Sequence, residues 1–310
     1  MDIYYTLEDF YSTTPCIVTT GTFDGVHLGH QKILHTLLTQ AKSRNACSVV
    51  VTFDPHPRSL LQPDYAITLL TTTAEKIQLL AQLGIDKVVV VPFTKEFATM
   101  PASDYVENVI MKTLHTQALV IGYDHAFGKD REGNLNYMQK KSADYGFEII
   151  EIPAEDIDNI TISSTKIRKS IAQGDVEAAS SYLGRQYSIT GVVVHGKKIG
   201  RTIGFPTANI HVQDTQKAIP SNGVYAVQIK IDNQLYAGMM NIGTRPTIDI
   251  VGSTQSLEVH ILHFNQDIYT KTVEIFFVHY LRAEIKFSSL EELTKQLDID
   301  KSKVQKLLKV

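Results

Sequence analysis

A change of hydrophobic period near Gly184 constrains this chain more than any other feature. Before it, short β-branched runs alternate with amphipathic stretches. The strand-like runs are Cys16–Thr20, Cys47–Phe53, Lys87–Val91, Ala118–Ile121 and Phe147–Ile152. Between them His30–Lys42, Ala74–Leu83 and Asp104–Leu114 carry apolar residues at helical spacing, and Gly84 stands at an expected left-handed helix stop. Five buried-type strands separated by helices predict a parallel sheet with helices on both faces, whose ligands sit beyond the carboxyl ends of the strands. After Gly184 the strand-like runs are Tyr187–Val194, Gly223–Ile231, Leu235–Asn241, Leu257–His263 and Thr272–Tyr280, with Asp232-Asn233 as a tight hairpin. Helical spacing returns only in Ser288–Val310, with Ser289 as N-cap. This half predicts a compact antiparallel β-barrel closed by a terminal helix.

The length of 310 residues fits two domains, and the change of period places them at 1–183 and 184–310. The net charge of −3 offers no basic footprint for nucleic acid, though it leaves room for local cationic pockets. Two cysteines are too few for a disulfide framework or a Cys-based zinc site. The opening MDIYYTLEDF lacks the pattern of a secretory leader, and no apolar run approaches the roughly 20 residues of a membrane span. The expectation is a cytoplasmic protein, monomeric or weakly oligomeric, acting on small molecules without membrane or nucleic-acid partners.

The first candidate site is Gly21-Thr-Phe-Asp-Gly-Val-His-Leu-Gly-His30, which joins the first strand to the first helix. Its glycines allow a ligand close to the backbone, and the helix start offers free N–H groups. His27 and His30 are three apart and can both donate to phosphate oxygens. Three readings stand: a triphosphate cradle, ordinary capping and packing, or a metal site of Asp24, His27 and His30. No P-loop pattern occurs. Farther on, Ile162-Ser-Ser-Thr-Lys-Ile-Arg168 offers Ser163, Ser164 and Thr165 as N-cap candidates. Lys166 and Arg168 then fall in a first helical turn, where the dipole disfavours each cation by about 0.3–1 kcal/mol. A phosphate there reverses that penalty, and Arg168 can grip it bidentately; a solvated basic helix start is the plainer alternative.

The second candidate site is the basic, glycine-containing loop Gly196–Gly204, with Lys197, Lys198, Gly200 and Arg201, followed by Phe205-Pro-Thr-Ala-Asn209. Thr207 and Asn209 are two apart and face the same way in an extended segment, so their oxygens can hold a hydrated Mg²⁺ and phosphate. In SLEVHIL, Leu257, Val259 and Ile261 form the buried alternation, which puts Glu258 and His260 on the opposite face. If that face lines a pocket, Glu258 can take the proton of an attacking alcohol; otherwise it is a wet strand face.

The strings TFDGVHLGHQ, VVTFDPHP and ISSTKIR resemble the histidine-motif nucleotidylyltransferases, and more closely the Rossmann-like adenylyltransferase module of bacterial bifunctional FAD synthetases. GRTIGFPTANI, GVYAV, MNIGTRPT and LEVHIL followed by FNQDIY resemble the riboflavin kinase barrel of the same family, in the same order. The resemblance covers nearly the whole chain. It implies riboflavin phosphorylation to FMN and adenylylation of FMN to FAD, both with ATP and Mg²⁺. It implies ATP contacts from Gly21, Phe23, Asp24, His27, Gly29, His30, Ser163, Ser164, Thr165 and Arg168 in the first module. In the second it implies Gly200, Arg201, Thr207 and Asn209 on MgATP and Glu258 as base. Flavin contacts fall on Asp124 and on the segment Leu281–Phe287, with Arg282 and Glu284. The match departs at His125 and Ala126, where many relatives carry an aromatic residue and an arginine. Two narrower readings therefore stand beside it: a riboflavin kinase with a weakened adenylyltransferase, and a non-catalytic flavin- or nucleotide-binding regulator.

Overall fold

The computed structural model describes residues 1–62, 67–122, 127–129, 132–153, 162–196, 199–245 and 254–310. The chain divides into two compact units, Met1–Ser164 and Thr165–Val310.

The first unit is built on six parallel strands: β1 (Asp2–Tyr4), β2 (Cys16–Thr20), β3 (Cys47–Asp54), β4 (Lys87–Pro92), β5 (Thr116–Gly122) and β6 (Glu148–Ile152). They lie in the order β1-β4-β3-β2-β5-β6. Period-2 alternation splits each strand between two cores. Ile17, Val50, Val88 and Val120 pack with Leu34, Leu37, Ile77 and Leu80 of the Leu28–Ser43 and Thr73–Gln82 helices. Val18, Val51, Val89 and Ile121 face Val106, Ile110 and Met138 of the Tyr105–Thr113 and Leu135–Tyr145 helices on the other side. Burial on both faces is why these strands read as continuous apolar runs. Gly84 has φ +88° after the second of these helices, as its position predicts.

The five expected strands form, and β1 is a sixth that the sequence hides. It is three residues long and largely exposed, so it carries no buried alternation. Pairing with β4 and the Lys87 Nζ–Asp2 Oδ2 contact of 2.8 Å hold it at the sheet edge. Strand order reverses between β2 and β5, and the segment after β2 is Gly21–His27. A reversal of this kind opens a crevice at the carboxyl ends of the strands.

The second unit begins with the Ser164–Ala172 and Val176–Leu183 helices, the first of which starts at the junction. The strands β7 (Ser188–Val194), β8 (Ala208–His211), β9 (Gly223–Ile231), β10 (Gln234–Arg245), β11 (Thr254–Ile261) and β12 (Thr272–Arg282) close into an antiparallel barrel ordered β10-β11-β8-β7-β12-β9. Asp232 and Asn233 take φ of 48° and 67°, the left-handed pair that a two-residue hairpin requires. Strand β8 has only four residues and was legible only as an extended stretch around Thr207–Asn209.

The Leu290–Leu308 helix is capped by Ser289, whose Oγ accepts the Glu292 N–H at 3.2 Å. It lays Val304 against Phe205, Ala226 and Met239 on the outside of the barrel. One buried ion pair fixes its register: Arg282 Nε and Nη2 reach Asp300 Oδ2 at 2.9 and 2.8 Å, and Gln296 Nε2 donates to Asp300 Oδ1 at 2.9 Å. Asp300 is fully buried, so truncating it strands a cation. Among the described residues, no helix is long and apolar enough to cross a membrane.

We expect Asp300→Ala to destabilise the barrel by about 3–5 kcal/mol, because an unpaired partly buried guanidinium remains. Asp300→Asn, which retains an acceptor, should cost less. Denaturant unfolding of the full chain measures both, and equal costs would contradict this account.

Candidate active sites

The loop after β2 is held from beneath by polar groups inside the fold. Asp24 is buried, and its carboxylate accepts the Leu70 N–H at 3.0 and 3.2 Å and the Thr71 N–H at 3.1 Å. Thr71 Oγ1 in turn accepts the Gly25 N–H at 3.0 Å. Lys76, also buried, donates from Nζ to the Thr22 carbonyl at 3.1 Å and to Thr52 Oγ1 at 2.8 Å, while Thr52 Oγ1 donates to the same carbonyl at 3.1 Å. Within this frame Phe23 and Val26 adopt φ of 47° and 41°, left-handed conformations that cost free energy for residues with a Cβ. Both side chains are buried in the core, which offsets that cost.

The strained turn delivers the two histidines. His27 caps the Leu28–Ser43 helix, its Nδ1 accepting the His30 N–H at 3.3 Å. That bond leaves the proton of neutral His27 on Nε2, where it can be donated to an anion. The His27 and His30 rings stack with centroids 3.6 Å apart and planes 16° apart, and Phe23 meets His30 edge-on at 5.2 Å. His30 is held well below the ordinary histidine range, first by burial, then by His27 and the Lys76 ammonium. Its Nδ1 is buried without a hydrogen-bond partner. His30, buried beside a second imidazole and a cation, favours its neutral form, and a polyanion would raise its proton affinity. The arrangement accommodates a phosphate chain at a low reorganisation cost.

Asp24 has a structural part in this loop. A carboxylate only accepts hydrogen bonds, and this one faces backbone N–H groups, so it braces the loop. The Asp24–His27–His30 metal set is not formed, and among the described residues no group of three His, Cys, Asp or Glu is arranged to hold a metal ion. Ser164 Oγ donates to the Asp24 carbonyl at 3.0 Å, which ties the end of the first unit to this loop. Thr165 and Arg168 belong to the second unit, in the helix whose Lys166 Nζ lies 4.7 Å from the Tyr182 ring centre. Asp124, with His125 and Ala126, lies outside the described residues, as do Lys197 and Lys198.

Lys76 escaped the sequence reading because a lysine in an amphipathic helix ordinarily wets its outer face. The signal was its place four residues before buried Leu80, on the same stripe. Burial lowers its pKa to about 8, against the opposing pull of Asp24 and Asp54. It therefore remains largely charged at neutral pH and presses positive potential on the histidine pair.

In the barrel, three adjacent strands set Asn209, Glu258 and Asn241 side by side on one face. Thr207 Oγ1 donates to Glu258 Oε2 at 3.4 Å. A Cβ on Gly196 would lie 2.0 Å from Asn209 Nδ2, and one on Gly200 would lie 2.2 Å from the Phe205 carbonyl oxygen. Only glycine lets the loop approach the PTAN segment this closely. Arg201 follows Gly200 in the short Ile199–Thr202 helix.

His260 departs from the sequence reading. It is buried, not on a wet face: Nδ1 donates to the Pro206 carbonyl at 2.8 Å, and the ring meets Phe205 edge-on at 5.1 Å. Burial, the largest influence, lowers its pKa. It holds the PTAN segment from below, a role available because the terminal helix covers the outer face here. Arg282 is likewise engaged, with Asp300, so the structure makes it a brace for the segment after β12. Glu284 on that segment accepts from Asn241 Nδ2 at 3.3 Å.

The depressed His30 makes the first unit acid-sensitive. Its folded pKa lies below the unfolded value, so its contribution is complete above about pH 6.5 and is lost as pH falls. Between about pH 7.5 and pH 5 the loss should reach up to about 2 kcal/mol, and His30→Gln should flatten that slope. Denaturant unfolding across this range reads the difference; an unchanged slope would remove His30 from the account.

Family models for FAD synthetase and riboflavin kinase match residues 10–166 and 183–308. A bifunctional riboflavin kinase/FMN adenylyltransferase of Haemophilus influenzae is 40% identical, over 92% of both chains. Proteins of the same description from Buchnera aphidicola and Escherichia coli are each 38% identical, over 95% and 92% of this chain and 94% and 90% of theirs. A crystal structure described as a macrolide-efflux protein from Streptococcus pneumoniae superposes over 98% of both chains, with a TM-score of 0.88 and 32% identity. The coverage of both halves by one kind of relative shows that this chain belongs to the bifunctional riboflavin kinase/FMN adenylyltransferase family.

Proposed function

We propose that residues 184–310 phosphorylate riboflavin to FMN and that residues 1–183 transfer AMP from ATP to FMN, giving FAD and pyrophosphate. The row Asn209–Glu258–Asn241, with Thr207 beside the glutamate, supports the kinase half. Glu258 takes the proton of the ribityl 5′-hydroxyl as its oxygen attacks the γ-phosphorus of ATP; the bond to the β-phosphate oxygen breaks and ADP leaves. Thr207 and Asn209 supply oxygen donors of the kind Mg²⁺ prefers, fewer than a protein-only site needs, which fits an ion shared with ATP phosphates. Such an ion neutralises phosphate charge. Gly196–Gly204 with Arg201 closes on the nucleotide, and the Leu281–Phe287 segment, braced by Arg282, covers the flavin with Glu284.

The stacked histidine pair supports the adenylyl half. An FMN phosphate oxygen attacks the α-phosphorus of ATP in line, and charge grows on departing pyrophosphate. His27 and His30, with Ser163, Ser164, Thr165 and Arg168 of the second motif, stabilise that charge, and Gly21, Phe23 and Gly29 shape the cradle. Asp124 serves on the flavin or nucleotide side. Both reactions act on small soluble substrates, which fits a cytoplasmic protein that is monomeric or weakly oligomeric.

Incubation with riboflavin, ATP and Mg²⁺ followed by flavin chromatography should show FMN and then FAD. Absence of FMN would refute the kinase assignment, and FMN without FAD would establish the narrower kinase. Glu258→Ala should lower FMN formation by about a hundredfold or more and spare FAD formation from supplied FMN. His30→Ala or Arg168→Ala should do the reverse. Lys76→Met should lower adenylyl transfer by about tenfold, because the Thr22 turn loses its anchor, with kinase turnover unchanged. Equal loss of both activities in any of these variants would contradict two separate sites.

A further inference from the structure

The chain has two cysteines, Cys16 and Cys47, and the fold brings them together. They are register partners at the amino ends of parallel strands β2 and β3. Their Sγ atoms lie 2.9 Å apart, inside ordinary van der Waals separation for two sulfurs, and both are free thiols. We propose that Cys16 and Cys47 are a modification site, closing to an intramolecular disulfide on exposure to a hydroperoxide and reopening with a dithiol reductant.

Several observations beyond proximity support the pair. The side chains of parallel register partners leave the sheet on the same face, so closure needs a further approach of about 0.9 Å by two χ1 rotations. No strand need be displaced for it. Ser12 Oγ lies 3.3 Å from Cys47 Sγ, and the Cys16 thiol reaches the Thr14 carbonyl at 3.6 Å. The thiols therefore sit in a polar notch at the end of an otherwise apolar core. Cys16 is fully buried whereas Cys47 retains 8% exposure, beneath the exposed Thr13–Pro15 stretch. A small oxidant reaches one sulfur first, and the second waits beside it.

A hydrogen bond between the two sulfurs favours a thiolate on the one that accepts it, and the Lys87 ammonium favours a thiolate on either. Cys47, the sulfur an oxidant reaches first, is the nucleophile and Cys16 the resolving thiol. The Cys47 thiolate attacks a peroxide oxygen, the O–O bond breaks, and with one proton taken up the products are the sulfenic acid and water or an alcohol. The Cys16 sulfur then attacks the Cys47 sulfur. The S–S bond forms, the S–O bond breaks, the Cys16 proton leaves with the hydroxyl, and a second water departs. Two thiols have been oxidised by two electrons and one peroxide reduced. The pair stands at the strand ends opposite to the Gly21–His30 loop, so the link staples β2 to β3 without entering the nucleotide cradle.

The test uses the full-length wild-type protein treated with hydrogen peroxide, quenched, alkylated under denaturing conditions and digested without reductant. The expected product has lost two hydrogen atoms, yields a linked peptide containing Cys16 and Cys47, and forms at a rate unchanged by dilution. Dithiothreitol should restore two alkylatable thiols. In Cys16→Ser, Cys47 should gain oxygen instead, because no resolving thiol remains. Persistence of two free thiols after oxidation overturns the proposal, as does accumulation of oxygen on wild-type Cys47 without a linked peptide or formation of links only between chains.

Discussion

The first active site rests on a few buried polar bonds under one turn. Gly21–His27 leaves β2 at the point where strand order reverses, and its backbone cannot satisfy itself there. Asp24 answers two N–H groups of residues 70 and 71, while Lys76 and Thr52 answer the Thr22 carbonyl. A buried carboxylate or ammonium is expensive unless fully bonded, so these contacts specify one loop conformation strongly. The left-handed Phe23 and Val26 persist only because that conformation is enforced from below and their side chains are sealed in the core. Everything the histidines do follows from where the turn leaves them.

The barrel solves the same problem with a sheet ladder. Register fixes the spacing of Asn209, Glu258 and Asn241, and Gly196 and Gly200 approach Asn209 and Phe205 closely. His260, Arg282 and Asp300 secure the surrounding segments from the outer side. In both candidate sites the bracing residues Asp24, Lys76, His260 and Asp300 are buried. In each, a charged residue, Asp24 or Arg282, makes bonds within the protein that brace the segment it stands on.

Much of this was legible from spacing. Strands buried on both faces announced the parallel sheet, the shorter runs announced the barrel, and HLGH, PTAN and LEVHIL marked the loops and strand on which the candidate sites stand. Strands β1 and β8 were not legible as strands, being too short to show a period and dependent on neighbours distant in sequence. Lys76 was missed and the burial of His260 was not foreseen for a related reason: a lysine or histidine reports its burial only when the element covering it is known.

The sequence by itself determined the two folds, their order and the motifs that identify the family, because hydrophobic period and local turn chemistry are properties of contiguous residues. Tertiary structure decided which polar residues are bonded into the frame beneath the candidate sites. Asp24 meets residues 70 and 71, Lys76 meets residues 22 and 52, Arg282 meets Asp300, and Cys16 meets Cys47. Those partners are distant along the chain. Only the packed fold, through desolvation and hydrogen-bond satisfaction, assigns one to another.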